Sequence, residues 1–155
     1  MRIKLKGSAY LLMAMTLLDW IFKTAALQLD GGIYKYWPGL IEINVLRNRG
    51  LLFGIGHELA PYVLFLMRCS FLLLLFGILW TFYRLKWWQR NRFGFLLLLF
   101  GGGSNAVEGL ARGFVTDYIS LFRFPVVNIA DLMIVCGSGI FLFNLFRKSH
   151  ASNSI

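Results

Sequence analysis

APYVLFLMRCSFLLLLFGILWTFY, residues 60–83, decides the fold, because this run of 24 positions holds a single charged residue, Arg68. A helix rises about 1.5 Å per residue and a bilayer core is about 30 Å thick, so roughly 20 mostly apolar residues suffice to cross it. Working outward, three further segments read the same way, at about 8–27, 93–108 and 127–146. The composition agrees: 58% of the chain is hydrophobic and 15% charged, where a soluble domain carries about 25% charged residues. The expected fold class is an all-α membrane protein with four transmembrane helices and a small extracytoplasmic β element, residues 1–155 forming a single integral membrane domain.

The net charge of +9 raises the question of nucleic acid, and its placement answers it. Arg2, Lys4 and Lys6 precede the first span, Arg84, Lys86, Arg90 and Arg92 lie between the second and third, and Arg147 and Lys148 follow the fourth, with no acid among them. The other two loops, 28–59 and 109–126, are balanced. There Lys35, Arg47 and Arg49 face Asp30, Glu42 and Glu58, and Arg112 and Arg123 face Glu108 and Asp117. Segregation of this kind is the positive-inside pattern, which puts both termini in the cytoplasm and loops 28–59 and 109–126 outside. No nucleic-acid partner is expected.

Residues 1–27 have the basic start and apolar run of a signal peptide, but Asp19 and Lys23 stand one helical turn apart within it, so helix 1 is read as retained. Cys69 and Cys136 both fall inside spans and read as small apolar residues rather than a disulfide. His57 and His150 lie on opposite sides of the membrane, and no CxxC, HExxH or phosphate-binding loop is present, so no metal site is expected. In the first outer loop, Leu40 to Leu46 partly alternate and carry β-branched residues, which predicts a strand at the outer surface. Gly50, Gly54 and Gly56 follow, with Leu51, Leu52, Phe53 and Ile55 among them able to dip into the interface. Trp37, Trp80, Trp87 and Trp88 fall at span boundaries, as interfacial aromatics do. The tail from Ser149 to Ile155 reads as disordered.

Chemistry is sought among the acids, since a carboxylate inside a span costs on the order of 2.5–3.5 kcal/mol on insertion scales. Asp19 has Lys23 at i+4 as a local partner. Asp131 has none, and lies about one turn, roughly 6 Å, inside helix 4. Asp117 stands fourteen residues earlier in the short second outer loop, so both acids are held near the outer end of the bundle. Two carboxylates sharing a site hold one proton between them, which is what acid–base cleavage of a peptide bond by a water molecule requires. The alternative is a loop acid and a helix acid hydrogen-bonded to Asn128 or to loop amides. Helix 3 adds Gly101, Asn105 and Gly109 at four-residue spacing, a narrow face for close packing in which Asn105 is the part that packing does not require.

Five ordered segments resemble the lipoprotein signal peptidase (signal peptidase II) family: Asp19-Trp-Ile-Phe-Lys23, Asn48-Arg-Gly50-Leu-Leu-Phe53-Gly54, Gly101-Gly-Gly-Ser-Asn105, Gly113-Phe-Val-Thr-Asp117-Tyr-Ile119 and Phe124-Pro125-Val-Val-Asn128-Ile-Ala130-Asp131. The resemblance implies an aspartic endopeptidase of the bacterial inner membrane that cuts the signal peptide of a diacylglyceryl-modified prolipoprotein before the lipidated cysteine, with no cofactor. It makes Asp117 and Asp131 the catalytic pair. By motif position it makes Asn48, Asn105 and Asn128 candidates to hold the substrate backbone or orient the acids, with Gly50 and Phe53 of the loop motif on the substrate-binding side. Asp19, Lys23, Glu108 and Ala130 are expected as structural support; Arg112 is added to the substrate-binding residues by its position, outside the quoted motifs. The implied partners are lipidated signal peptides and membrane lipids, and a monomer is expected.

The sequence departs from the family after Asn105, where Asp-Arg is usual and Glu108-Gly109 stands instead. Arg112, three residues on along the same face, is the expected replacement for that arginine, pairing with Glu108 or donating to backbone carbonyls near the dyad; the alternative is an arginine that snorkels to lipid phosphates. Two other functions stay open at this level. One is a silent homologue that binds lipidated peptides; the other is a small transporter with Asp19, Lys23, Arg68 and Asp131 as its buried polar sites.

Overall fold

The computed structural model describes residues 5–29, 33–37, 40–51, 55–83, 88–122 and 125–152. Four helices, α1 (Leu5–Leu27), α2 (Pro61–Tyr83), α3 (Trp88–Arg112) and α4 (Ile129–Ser152), alternate with strands β1 (Ile33–Trp37), β2 (Ile41–Asn48) and β3 (Val115–Leu121). Stretches long and apolar enough to cross a membrane run over Gly7–Leu27, Pro61–Ile78 and Asn91–Arg112, and α4 contributes a shorter apolar stretch, Ile129–Asn144. Leu17, Leu73, Phe76, Val135 and Phe143 are exposed on the helix surfaces while Asp19, Lys23, Asn128 and Glu108 are fully buried. That inversion is what a lipid solvent selects, and the chain is a multi-pass membrane protein.

Little hydrophobic force separates helix from lipid, so close packing has to hold the helices together, and small residues allow it. A Cβ on Gly94 would lie 3.0 Å from the Gly137 carbonyl oxygen, and one on Gly137 would lie 2.7 Å from that of Gly94. One on Gly101 would lie 2.5 Å from the Ala130 carbonyl oxygen. The contacts advance seven residues along α3 while retreating seven along α4, which makes the two helices antiparallel with nearly touching backbones. Leu12, Leu97 and Met133 fill the space between α1, α3 and α4.

The strands form one antiparallel sheet in the order β1-β2-β3. Ile43 pairs with Ile119 and Asn48 with Val115, with a register shift between Ile43 and Leu46. The sheet is larger than the single strand expected over 40–46. The segment expected as outer loop 109–126 is also more ordered: α3 runs on to Arg112, and Asp117 lies on β3 rather than in a loop. Gly113 sets the helix end. Its φ is +76°, a conformation open to glycine at little cost, and its N–H closes the last turn on the Gly109 carbonyl at 3.1 Å. At the other end the tail expected to be disordered from Ser149 is helical through Ser152, because neither Gly nor Pro follows Gly139 to interrupt the backbone ladder. Arg2, Lys4, Asp30, Leu52, Phe53, Gly54, Arg84, Lys86, Trp87, Arg123 and Phe124 lie outside the described residues.

Candidate active site

Asp131 enters the site through the start of α4. Asn128 caps that helix: its Oδ1 accepts the Asp131 N–H at 2.9 Å, and Asp131 Oδ2 accepts the Asn128 N–H at 3.1 Å. This is a reciprocal capping box, so the structural alternative for Asp131 holds for one of its oxygens. The other oxygen is turned to α3, where it accepts from Asn105 Nδ2 at 2.8 Å. Asp117 reaches the same place from β3. Its Oδ1 accepts from Asn128 Nδ2 at 2.7 Å and its Oδ2 from Asn48 Nδ2, at the end of β2, at 3.2 Å. One amide, that of Asn128, thus bonds Asp117 through its nitrogen and the Asp131 backbone through its oxygen.

The donors to both carboxylates are amides, which leave the net charge of the pair to be settled by a proton. Burial, and then the negative charge of Asp131, push the Asp117 carboxyl up to about 7; the bonds from Asn48 and Asn128 and the more distant Lys23 ammonium pull it down without cancelling that rise. A group poised there can exchange a proton at neutral pH. Among the described residues Asn48 Oδ1 is buried with no hydrogen-bond partner.

A second polar cluster adjoins the pair. Lys23 is fully buried and spends its three donors on Asp19 Oδ2 at 2.7 Å, Glu108 Oε2 at 3.1 Å and Asn105 Oδ1 at 2.7 Å. An ammonium can only donate, so it fixes the Asn105 amide with its nitrogen toward Asp131. Asp19 further accepts from Ser104 Oγ at 3.0 Å and from the Ala130 N–H at 3.3 Å. Glu108 accepts from Thr116 Oγ1 at 2.7 Å, the Thr116 N–H at 3.2 Å and Arg112 at 3.0 Å. Tyr118 donates to Asp19 at 3.4 Å, and burial, then the Asp19 charge, raise its hydroxyl above the usual range, so it stays a neutral donor. Alternation along β3 explains the division: Asp117 points to one face, while Thr116 and Tyr118 point across to the ionic cluster.

The structure therefore gathers Asn48, Asn105 and Asn128 on the two acids, and Asp19, Lys23, Glu108, Ala130 and Arg112 beside them. Gly50 contributes a carbonyl, accepting from Arg68 at 3.2 Å, and Phe53 lies outside the described residues. Arg112 pairs with Glu108, as one of its two expected modes had it, and also reaches Thr24 at 3.5 Å and lies 5.4 Å from the Trp20 ring. Ser104, Thr116, Tyr118 and the backbone-bonded Arg68 were not expected in these roles. Only Arg68 carried a signal, as a lone charge in an apolar run. Among the described residues no three His, Cys, Asp or Glu side chains gather as a metal site would need.

Four helices, a three-stranded sheet against one end of them, and a buried and a half-buried carboxylate clasped by amides at that junction define a class of helical membrane protein with a titratable acid pair. The family model described as Signal peptidase (SPase) II matches residues 11–147, and the chain belongs to that family. It is 29% identical to the lipoprotein signal peptidase of Solibacter usitatus over 163 residues, covering 99% of this chain and 97% of that protein. It is 34% identical to the lipoprotein signal peptidase of Chlamydia caviae, covering 84% of this chain and 86% of the relative. A solved structure described as a bacterial membrane enzyme, obtained by the in meso method at 2.3 Å resolution, shares the fold with a TM-score of 0.83 at 20% identity, covering 99% of this chain and 94% of that one.

Proposed function

We propose that the protein is an intramembrane aspartic endopeptidase that removes signal peptides from diacylglyceryl-modified prolipoproteins, cutting before the lipidated cysteine. The observation that carries this reading is the shared clasp on Asp117 and Asp131, two acids from different elements bonded, among the described residues, only to amide donors. The family supplies the substrate class, through relatives named lipoprotein signal peptidases.

In the proposed reaction Asp117 starts protonated and Asp131 ionised. Asp131 takes a proton from water as its oxygen bonds to the scissile carbonyl carbon, and Asp117 gives its proton to the carbonyl oxygen, forming a gem-diol. The C–N bond then breaks. The amine nitrogen receives the proton held by Asp131, Asp117 recovers one from the diol, and a carboxylic acid and a free amine leave. The unpartnered Asn48 Oδ1 is a ready acceptor for a substrate N–H. We place both termini in the cytoplasm of a bacterial inner membrane and the site near its outer face, on the positive-inside pattern, with the protein working as a monomer.

The test is cleavage by the purified protein in reconstituted membranes, with the new amino terminus of the product identified. The expected terminus is the diacylglyceryl cysteine. Failure to cut, or equal cutting of the unlipidated precursor, removes the reading.

A further inference from the structure

Gly109 stands where the family usually has arginine, and the space a side chain would occupy there is already taken. A Cβ on Gly109 would lie 2.5 Å from Arg68 Nε and 2.7 Å from its Cζ. Arg68 comes from α2, 41 residues away in the chain, and is buried. Its Nη1 donates to the Gly109 carbonyl at 2.7 Å, and its Nη2 to the carbonyls of Arg49 at 3.0 Å and Gly50 at 3.2 Å. A buried guanidinium needs negative counterparts, and here backbone oxygens serve. Gly109 lies in the last turn of α3, where the helix dipole favours a cation, and its carbonyl accepts the Gly113 N–H as well as the guanidinium. The two loop carbonyls follow directly on Asn48, whose amide bonds Asp117.

We propose that Arg68 is a positioning residue: by tying the end of α3 to the backbone of Arg49 and Gly50, it holds the Asn48 amide on Asp117, and Gly109 is glycine so that the guanidinium can lie there. The planar fork suits this work, since it bonds carbonyls from two elements at once, whereas lysine offers a single donor centre. Arg112 makes the Glu108 pair that the sequence allowed for, while the guanidinium lying over Gly109 itself is that of Arg68. This inference rests on the proposed protease reading for its consequence in catalysis, and on geometry alone for the tie itself.

The experiment uses full-length protein in reconstituted membranes, with Arg68→Gln, Arg68→Lys, Arg68→Ala, Gly109→Ala and the double variant Arg68→Ala/Gly109→Ala. Loss of the tie frees Asn48, so kcat should fall about 10–100-fold in Arg68→Gln with KM within about threefold, the size expected of a misplaced catalytic group. Because the Asn48 bond lowers the pKa of Asp117, the alkaline limb of the pH profile should also move upward, a change that mere partial unfolding does not cause. Arg68→Lys should recover part of the rate. Gly109→Ala should behave like Arg68→Gln although alanine is the better helix former, and it should add little on the Arg68→Ala background. Hydrogen exchange of the Asn48–Leu51 amides, faster by about tenfold in Arg68→Gln with α4 unchanged, reads the tie without reference to activity. If Arg68→Gln does not accumulate, Arg68→Lys and Gly109→Ala carry the same measurements. Unchanged exchange together with an unmoved pH limb overturns the proposal. Wild-type protein that leaves the lipidated substrate uncut removes the protease reading, and the exchange result then decides the tie separately.

Discussion

Two pairs of acids, all buried except the half-buried Asp131, lie side by side in this molecule and are treated oppositely. Asp19 and Glu108 meet cations: Lys23 bonds both, and Arg112 bonds Glu108, so two negative charges face two positive ones. Asp117 and Asp131 meet amides from Asn48, Asn105 and Asn128. A cation fixes a carboxylate as an anion; an amide orients it and leaves its proton free to come and go. The ionic cluster is thus suited to hold the helices, and the amide-bound pair to do chemistry. Asn105 joins them, with its oxygen on Lys23 and its nitrogen on Asp131.

The largest effect expected from this contrast is on cleavage. Asp117→Asn and Asp131→Asn keep shape and remove the titrating group, so each should lower kcat by about 10³–10⁴-fold while the protein still accumulates and binds substrate. The double variant should be little worse than either, and substantial cutting by one single variant would take that residue out of the pair. In the ionic cluster the readout should be stability instead. Lys23→Met strands Asp19 and Glu108 without their shared cation, and breaking such a buried pair costs about 3–5 kcal/mol. Thermal unfolding in detergent and the amount of protein in membranes would measure it; normal stability with lost cleavage would reverse the assignment of roles.

A third expectation is the pH profile. With Asp117 pushed up to about 7, kcat/KM should fall as pH rises through about 7, by about tenfold per unit for loss of a single essential proton. The sign for stability is the same: a carboxyl raised in the folded state contributes stability below the ordinary carboxylate pKa of about 4, and that contribution disappears as pH rises through the folded value. Asp117→Asn should flatten that part of the stability curve. The smallest effect belongs to Arg112, whose side chain is 26% exposed. Arg112→Ala should cost about 1 kcal/mol or less, as partly solvated pairs do, and slow cleavage only a few-fold. A severe loss would instead support for Arg112 the role in the site that the sequence suggested.

Parts of this arrangement were legible in the sequence and parts were not. The spans were, since 20 apolar residues with a lone arginine are stable in few places other than a bilayer. Asp19, Lys23 and Asp131 were legible as acids and a base in a costly solvent, and the three asparagines by the motifs they sit in. The strand position of Asp117 was not. Its alternating neighbours Thr116 and Tyr118 gain meaning only when β2 pairs with β3 across 67 residues or more of chain, as in Asn48 with Val115. Nor was the tie from Arg68, because nothing local in α2 says that its side chain ends over a glycine of α3.

Hydropathy and charge order are sums over the chain, so the sequence by itself determined the membrane class and the number of helices, and the ordered motifs pointed to the family. Hydrogen-bond direction is not such a sum. The Asp19–Lys23 pair is local to α1 and was legible, but the amides that meet Asp117 do so at 2.7 and 3.2 Å across separate elements, and only the packing of α3 on α4, with β3 laid against them, brings such atoms within reach.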